Sequence, residues 1–252
     1  MVNSKFISLI FAFLLIAGCE IVQETQFKPN GSGTYRLSFD LSEMMKMGLG
    51  SRNGETNKQI DTSIVFAKLL ESHKDSFEQL GVEEQNKLKS LQDFSIDMLV
   101  DTASKKYLLR INYQFDNIKS LKLFGEKLKK LDFQKLDIMG SQSASTKAES
   151  TNSIPDLTKF YDITFNRKKF VYKISEEGLS EARKNKDTTM TKQNPMANMI
   201  RVKSRYYFPF KIKNVSNENA KISSDAHGIE IEGNLFEVSN NPRFFDLEVV
   251  FD

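Results

Sequence analysis

Two runs in the middle of the chain alternate apolar and polar residues with a period of two. Phe94, Ile96, Met98 and Val100 alternate with Ser95, Asp97 and Asp101, and then Tyr107, Leu109, Ile111, Tyr113 and Phe115 alternate with Arg110, Asn112 and Gln114. Successive side chains of a strand point to opposite faces, so each run has one apolar and one mostly polar face. Two such runs joined by a short polar segment predict an antiparallel hairpin covered on one side. The cover is expected from the next segment, where Ile118, Leu121, Phe124, Leu128 and Leu131 share a helical stripe and Lys119, Lys122, Lys127, Lys129 and Lys130 lie opposite.

The same reading extends outward. Pro29 to Gly33 form a tight turn between two extended segments, the second marked by Tyr35, Leu37 and Phe39. Asp40 with Glu43 three residues later is a capping-box pattern for a short helix containing Met44, Met45 and Met47. After a polar segment over 50–60, Asp61 is expected to cap a longer helix whose buried face is Phe66, Leu69, Leu70, His73, Phe77 and Leu80, broken at Gly81 and followed by a second helical piece from Val82 to Leu91. Residues 140–154 are rich in Ser, Thr and Ala without a hydrophobic pattern, and are expected to form a flexible polar loop that divides the domain in two. Further strands are predicted at 160–165 and 169–174, around Tyr206 to Ile212, at Ile229 and Ile231, and from Phe245 to Phe251, with a short helix near Pro195 in the polar stretch 180–203. Strands joined by hairpins, with helices segregated from them, give an α+β class: a mainly antiparallel sheet built from hairpins, with helices packed on one face.

Composition narrows the function classes. The chain has 252 residues, 39% hydrophobic and 27% charged, which is enough apolar material for a substantial core. A single Cys excludes an intramolecular disulfide, and 36 basic against 33 acidic residues set no demand for a nucleic-acid partner.

The amino terminus changes the picture more. After Lys5, Phe6 to Ile16 form an apolar stretch whose helix would rise about 16 Å, short of the roughly 30 Å hydrocarbon core, so it reads as a signal-peptide core and not a membrane span. Ile16, Ala17, Gly18 and Cys19 follow, and this run resembles the bacterial lipobox. The resemblance implies cleavage after Gly18, diacylglycerol on the Cys19 sulfur and acylation of the new amine, the palmitate-type anchoring of a lipoprotein. An ordinary secretory signal beside a buried cysteine is the alternative. On the lipobox reading, residues 1–18 are a signal peptide, 19–26 a lipidated tether and 27–252 the α+β domain. Two or three acyl chains would hold it stably on a membrane.

The lipobox, the Asn30-Gly31-Ser32-Gly33-Thr34-Tyr35 turn and strand, the Asp40 helix start, and Tyr207-Phe208-Pro209-Phe210 followed by Val215-Ser216-Asn217 together resemble a group of uncharacterised envelope lipoproteins common in Bacteroidota. The late segment is also similar to the LppM-type lipoprotein domain, whose members have been linked to lipid binding, although the final strands here lack Trp. The resemblance implies a place in the cell envelope, at the outer membrane on its periplasmic or exposed side, and no catalytic residues.

The search for chemistry supplies little. His73 falls on the apolar helix face and is expected to be packed there; His227, in Ser223-Ser224-Asp225-Ala226-His227-Gly228, is expected in a hairpin loop. Ser, Asp and His within one loop do not make a triad without its spatial geometry, and no nucleophile elbow is present. Metal-ligand spacings and phosphate-binding glycine loops are missing, so no metal or other cofactor is expected. Asp93, Asp97 and Asp101 read as solvated acids, and the basic clusters 167–169, 183–186 and 201–205 as solvated faces or contacts for lipid headgroups. Met44, Met45 and Met47, or Met190, Met196 and Met199, could fill core space or line an adaptable groove. The expected function is a non-catalytic, lipid-anchored envelope protein that contacts the membrane through Cys19 and binds a protein or envelope component, not nucleic acid. A binder or carrier of lipid or another apolar ligand is the alternative, and an envelope hydrolase the third reading.

Overall fold

The computed structural model describes residues 18–48, 59–130, 158–185 and 191–252. The expected signal peptide, apart from Gly18, and the expected polar loop at 140–154 therefore lie outside the described residues.

The first described element is a strand. Strand β1 (Glu20–Phe27) turns into β2 (Gly33–Asp40) through Asn30 and Gly31, whose φ of 82° favours a residue without Cβ. Helix α1 (Ser42–Lys46) follows, then β3 (Gln59–Val65), α2 (Phe66–Ser72), α3 (Lys74–Glu78) and α4 (Val82–Lys89). The expected hairpin is β4 (Phe94–Asp101) and β5 (Lys106–Phe115), and the expected cover is α5 (Ile118–Lys122) and α6 (Phe124–Leu128). Next come β6 (Tyr161–Phe165), β7 (Lys169–Ile174), α7 (Glu176–Lys184), α8 (Pro195–Met199) and β8 (Arg201–Tyr207). The last elements are β9 (Ile212–Val215), β10 (Ala220–Ile222), β11 (Gly228–Asn234), α9 (Leu235–Asn240) and β12 (Leu247–Phe251).

Among the described residues these strands form an eight-stranded sheet of order β10-β11-β8-β1-β2-β5-β4-β3 and a four-stranded sheet of order β6-β7-β12-β9. Neighbours are antiparallel except β1 and β8, which run parallel from Glu20 opposite Arg201 to Gln26 opposite Tyr207. The class is α+β, as the hairpin pattern predicts.

One face of the long sheet is covered twice. Over β2, β4 and β5 lie α5 and α6, where the Phe124 ring meets Tyr35, Phe94 and Tyr113 with centroids 4.6, 5.8 and 5.7 Å apart. Over β1 and β8 lies the short sheet, joined by Phe27 on Phe165, Phe170 on Tyr206 and Phe208 on Phe251 at 4.5, 5.1 and 5.0 Å. Offset and edge-on rings at these separations add to the burial energy of each aromatic.

Five expectations need correction. Residues 20–26 are not a tether: they belong to β1, which is hydrogen-bonded on both edges inside the long sheet. Strands from both sides of 140–154 share that sheet, so the expected division into two subdomains does not follow the sheets. Asp61 caps no helix, because 59–65 pair with β4 as an edge strand and place Asp61 opposite Leu99. The stripe from Phe66 to Leu80 is interrupted at His73, whose backbone leaves helical geometry (φ −118°, ψ 32°); of the α2 side chains only Phe66 is buried, and His73 is exposed. The short helix at 42–46 is present, but Leu41 is its cap and Asp40 accepts from the Ser42 N–H at 3.0 Å.

Candidate functional site

Cys19 lies one residue before β1 and is 1% exposed. Its carbonyl accepts the Arg201 N–H at 2.8 Å, which fixes the start of β1 against β8. The sulfur sits under α1. Burial pushes the thiol pKa up, the Asp40 and Glu43 carboxylates push the same way, and the hydrogen bond with the Met44 backbone opposes them. Gly18 abuts the Met199 carbonyl so closely that a Cβ there would collide with it. A larger residue at position 18 would therefore clash in the unprocessed chain.

The other face of the long sheet is a polar band. Lys203 of β8 bridges Glu20 of β1 and Glu232 of β11, Arg201 pairs with Glu232 at 2.8 Å, and Arg205 pairs with Glu230 at 2.7 Å. Burial opposes ionisation of Glu230, yet the Arg205 guanidinium outweighs it and holds the carboxyl below its ordinary range. The basic cluster 201–205 is therefore neutralised by strands to either side, and the headgroup contact expected of it loses its free charges. The band continues as Arg36 contacts Glu24 at 3.3 Å and Asn112 at 2.8 Å; Asn112 donates to Asp97 at 3.2 Å, and Ser63 donates to Asp97 at 2.7 Å.

Where this face meets α2 it forms an open cleft of about 570 Å³, lined by Arg36, Ala67, Gln92, Asp97, Arg110 and Asn112 among others. Arg110 is exposed and stands opposite Asp97 in the β4–β5 register. Cations, carboxylates and amides together can recognise a polar ligand or peptide. Sequence reading missed this grouping because its members come from β2, β4, β5, the start of α2 and the turn before β4, and only the strand register brings them together.

The interior offers less room. Gln23, Thr25, Tyr35, Tyr172 and Tyr206 surround a void of about 10 Å³ between the sheets, on the scale of one water molecule. An apolar ligand needs a cavity of a few hundred Å³, and at this junction the aromatic stack occupies the space. Gln23 donates to Ser204 and accepts from the Tyr35 hydroxyl at 3.3 Å. Burial pushes the Tyr161, Tyr172 and Tyr206 phenols far above their ordinary pKa.

The remaining candidates have local explanations. Asp93 pairs with Lys127 at 2.8 Å, and Asp101 caps the β4–β5 turn by accepting from Ser104 and Ala103, which holds its pKa down. In the β10–β11 loop Asp225 accepts from Ser223 Oγ and from the His227 backbone, while the His227 ring lies 3.0 Å from the Phe208 carbonyl. The imidazole does not stand between the acid and the hydroxyl, as a triad requires. The exposed His73 ring contacts Ser72 Oγ and the Leu69 carbonyl. Neither histidine lines the cleft or the void. Among the described residues no group of three His, Cys, Asp or Glu side chains is arranged to hold a metal, and no helix is long and apolar enough to cross a membrane.

No protein-family model and no curated protein matches the chain. Among solved structures it is similar to the NMR structure of the folded domain of the Mycobacterium tuberculosis LppM protein, at 6% identity over 95% of each chain with a TM-score of 0.40, a likeness too slight to carry an argument about function.

Proposed function

We propose that the protein is a lipid-anchored component of the cell envelope, held through acylated Cys19 at the outer membrane, and that it acts without catalysis by binding a protein or polar envelope component at the cleft around Arg110. The observation that carries this reading is the lipobox Ile16-Ala17-Gly18-Cys19, which uses the chain's single cysteine and stands immediately before the first strand. The cleft supports the binding half: its polar lining suits a hydrophilic partner, and the filled sheet junction does not favour an apolar cargo.

Cys19→Ser is expected to move the protein out of the membrane fraction and to abolish incorporation of a labelled fatty acid. Unchanged fractionation would overturn the anchor. For the binding half, affinity purification from detergent-solubilised membranes is expected to recover a partner with the wild type that Arg110→Glu loses. Recovery of no reproducible partner by the wild type would overturn it.

A further inference from the structure

We infer that the end of the long sheet carrying Cys19 is itself a membrane-contact surface, seated in the headgroup region of the bilayer that holds the acyl chains. This inference rests on the reading of Cys19 as the lipidated residue and adds to it a defined orientation of the whole domain.

The argument begins with chain length. Glu20, the residue after Cys19, is already paired with Asp40 and Arg201, so no flexible segment separates the attachment point from the sheet. A tether of six or seven extended residues would give about 20 Å of slack, and here there is none. Whatever shares this end of the sheet must lie at the membrane surface.

Register identifies those elements. The Asp40 end of β2 leads into α1, α8 leads into the Arg201 end of β8, and the Asn234 end of β11, opposite Arg201, leads into α9. Their apolar side chains are incompletely covered. Leu41, Met44, Met45, Met199 and Phe236 are half-buried and stand apart from the packed core, and Met47 is 45% exposed. Helix α1 buries none of its own residues. A five-residue helix has little stability of its own, so a second surface for its methionines would help to hold it. Methionine is flexible and polarisable and suits the irregular boundary between headgroups and acyl chains.

The buried sulfur points the same way. The sulfur is buried beside the Met44 backbone with no room for a diacylglyceryl group, so lipidation displaces it from that position and the acyl chains leave from the end of the sheet that carries α1. Lys105 and Lys106 are exposed at the same end and can meet phosphate groups, while Lys46 beside them is paired with Glu43 at 2.6 Å.

The chain has no Trp, so a single introduced Trp is a clean fluorescent probe. The full protein, processed in bacteria and reconstituted into phosphatidylethanolamine and phosphatidylglycerol vesicles with brominated acyl chains, is compared as Met47→Trp and as Lys28→Trp. Lys28 lies at the far end of β1, about 26 Å away along the strand. Phe236→Trp is a second probe at the proposed contact should the Met47 variant fold poorly. The expected result is a blue-shifted emission at Met47 and Phe236, quenched several-fold more strongly than at Lys28. Equal quenching at both ends, with the acyl mass present on the N-terminal peptide, would overturn this inference alone. Absence of the acyl mass would overturn the anchor reading and this inference together.

Discussion

Tyr206 carries a hydroxyl into the aromatic junction of the two sheets, with Ser204 and Tyr172 as its polar neighbours, yet among the described residues that oxygen makes no hydrogen bond of ordinary geometry. A buried hydroxyl without a partner costs about 1–3 kcal/mol. Tyr206→Phe keeps the ring and removes that cost, so it is expected to leave stability unchanged or raise it by about 1 kcal/mol in urea denaturation. A loss above about 2 kcal/mol would show that the oxygen is bonded, for instance to a water in the adjoining void. At this scale the sequence was a partial guide. The inward positions of β4 and β5 were legible because every one is apolar. The pairing of the 201–205 cluster, read from sequence as a solvated face or headgroup contact, is not legible locally because the partners of Arg201, Lys203 and Arg205 lie on β1 and β11, and nothing beside the cluster announces Glu20, Glu230 or Glu232.

Elements were legible where local pattern and tertiary demand agreed. The β4–β5 hairpin and the β6–β7 hairpin stand where alternation put them. Strand β1 is half legible: the turn at 29–33 implies an extended segment before it, but the inward Gln23 and Thr25 are polar and look like a tether until the sheet junction supplies the partners of Gln23. Helix α9 went unread although a signal was present: Asn234 and Glu237 form a reciprocal capping box, with bonds of 2.8 and 2.9 Å. Helix α7 sets propensity against packing. Gly178 lies in its first turn, where a Cβ would come within 2.7 Å of the Phe160 carbonyl and 2.8 Å of Ile174. Helix propensity alone favours Gly178→Ala by about 1 kcal/mol, while overpacking typically costs about 1–3 kcal/mol. The clash involves backbone, which has little room to yield, so the variant is expected to melt at lower temperature than the wild type. A higher melting temperature would show that α7 shifts away from β6 freely.

At the scale of the whole molecule the two halves of the chain are interleaved. Strands β1 to β5 acquire β8, β11 and β10 on one side, while β6 and β7 wait for β12 and β9 to complete the short sheet. Contacts between residues as far apart as Gln23 and Ser204 carry a large loop-closure cost and favour slow, cooperative folding. A chain ending at Ile200 lacks β8, the parallel partner of β1, and half of the short sheet. It is expected to show no cooperative thermal transition by circular dichroism and rapid cleavage in limited proteolysis; a cooperative transition would mean that the first half folds by itself.

The parallel pairing of β1 with β8 also sets an order of events. In the unmodified protein the Cys19 sulfur is sealed once Arg201 bonds to the Cys19 carbonyl and α1 closes over it. On the proposed lipidation of Cys19, the modifying enzyme therefore works on a chain over which α1 has not closed. The domain would then assemble with its first residue already moored, completing its longest sheet against the surface on which it will stay.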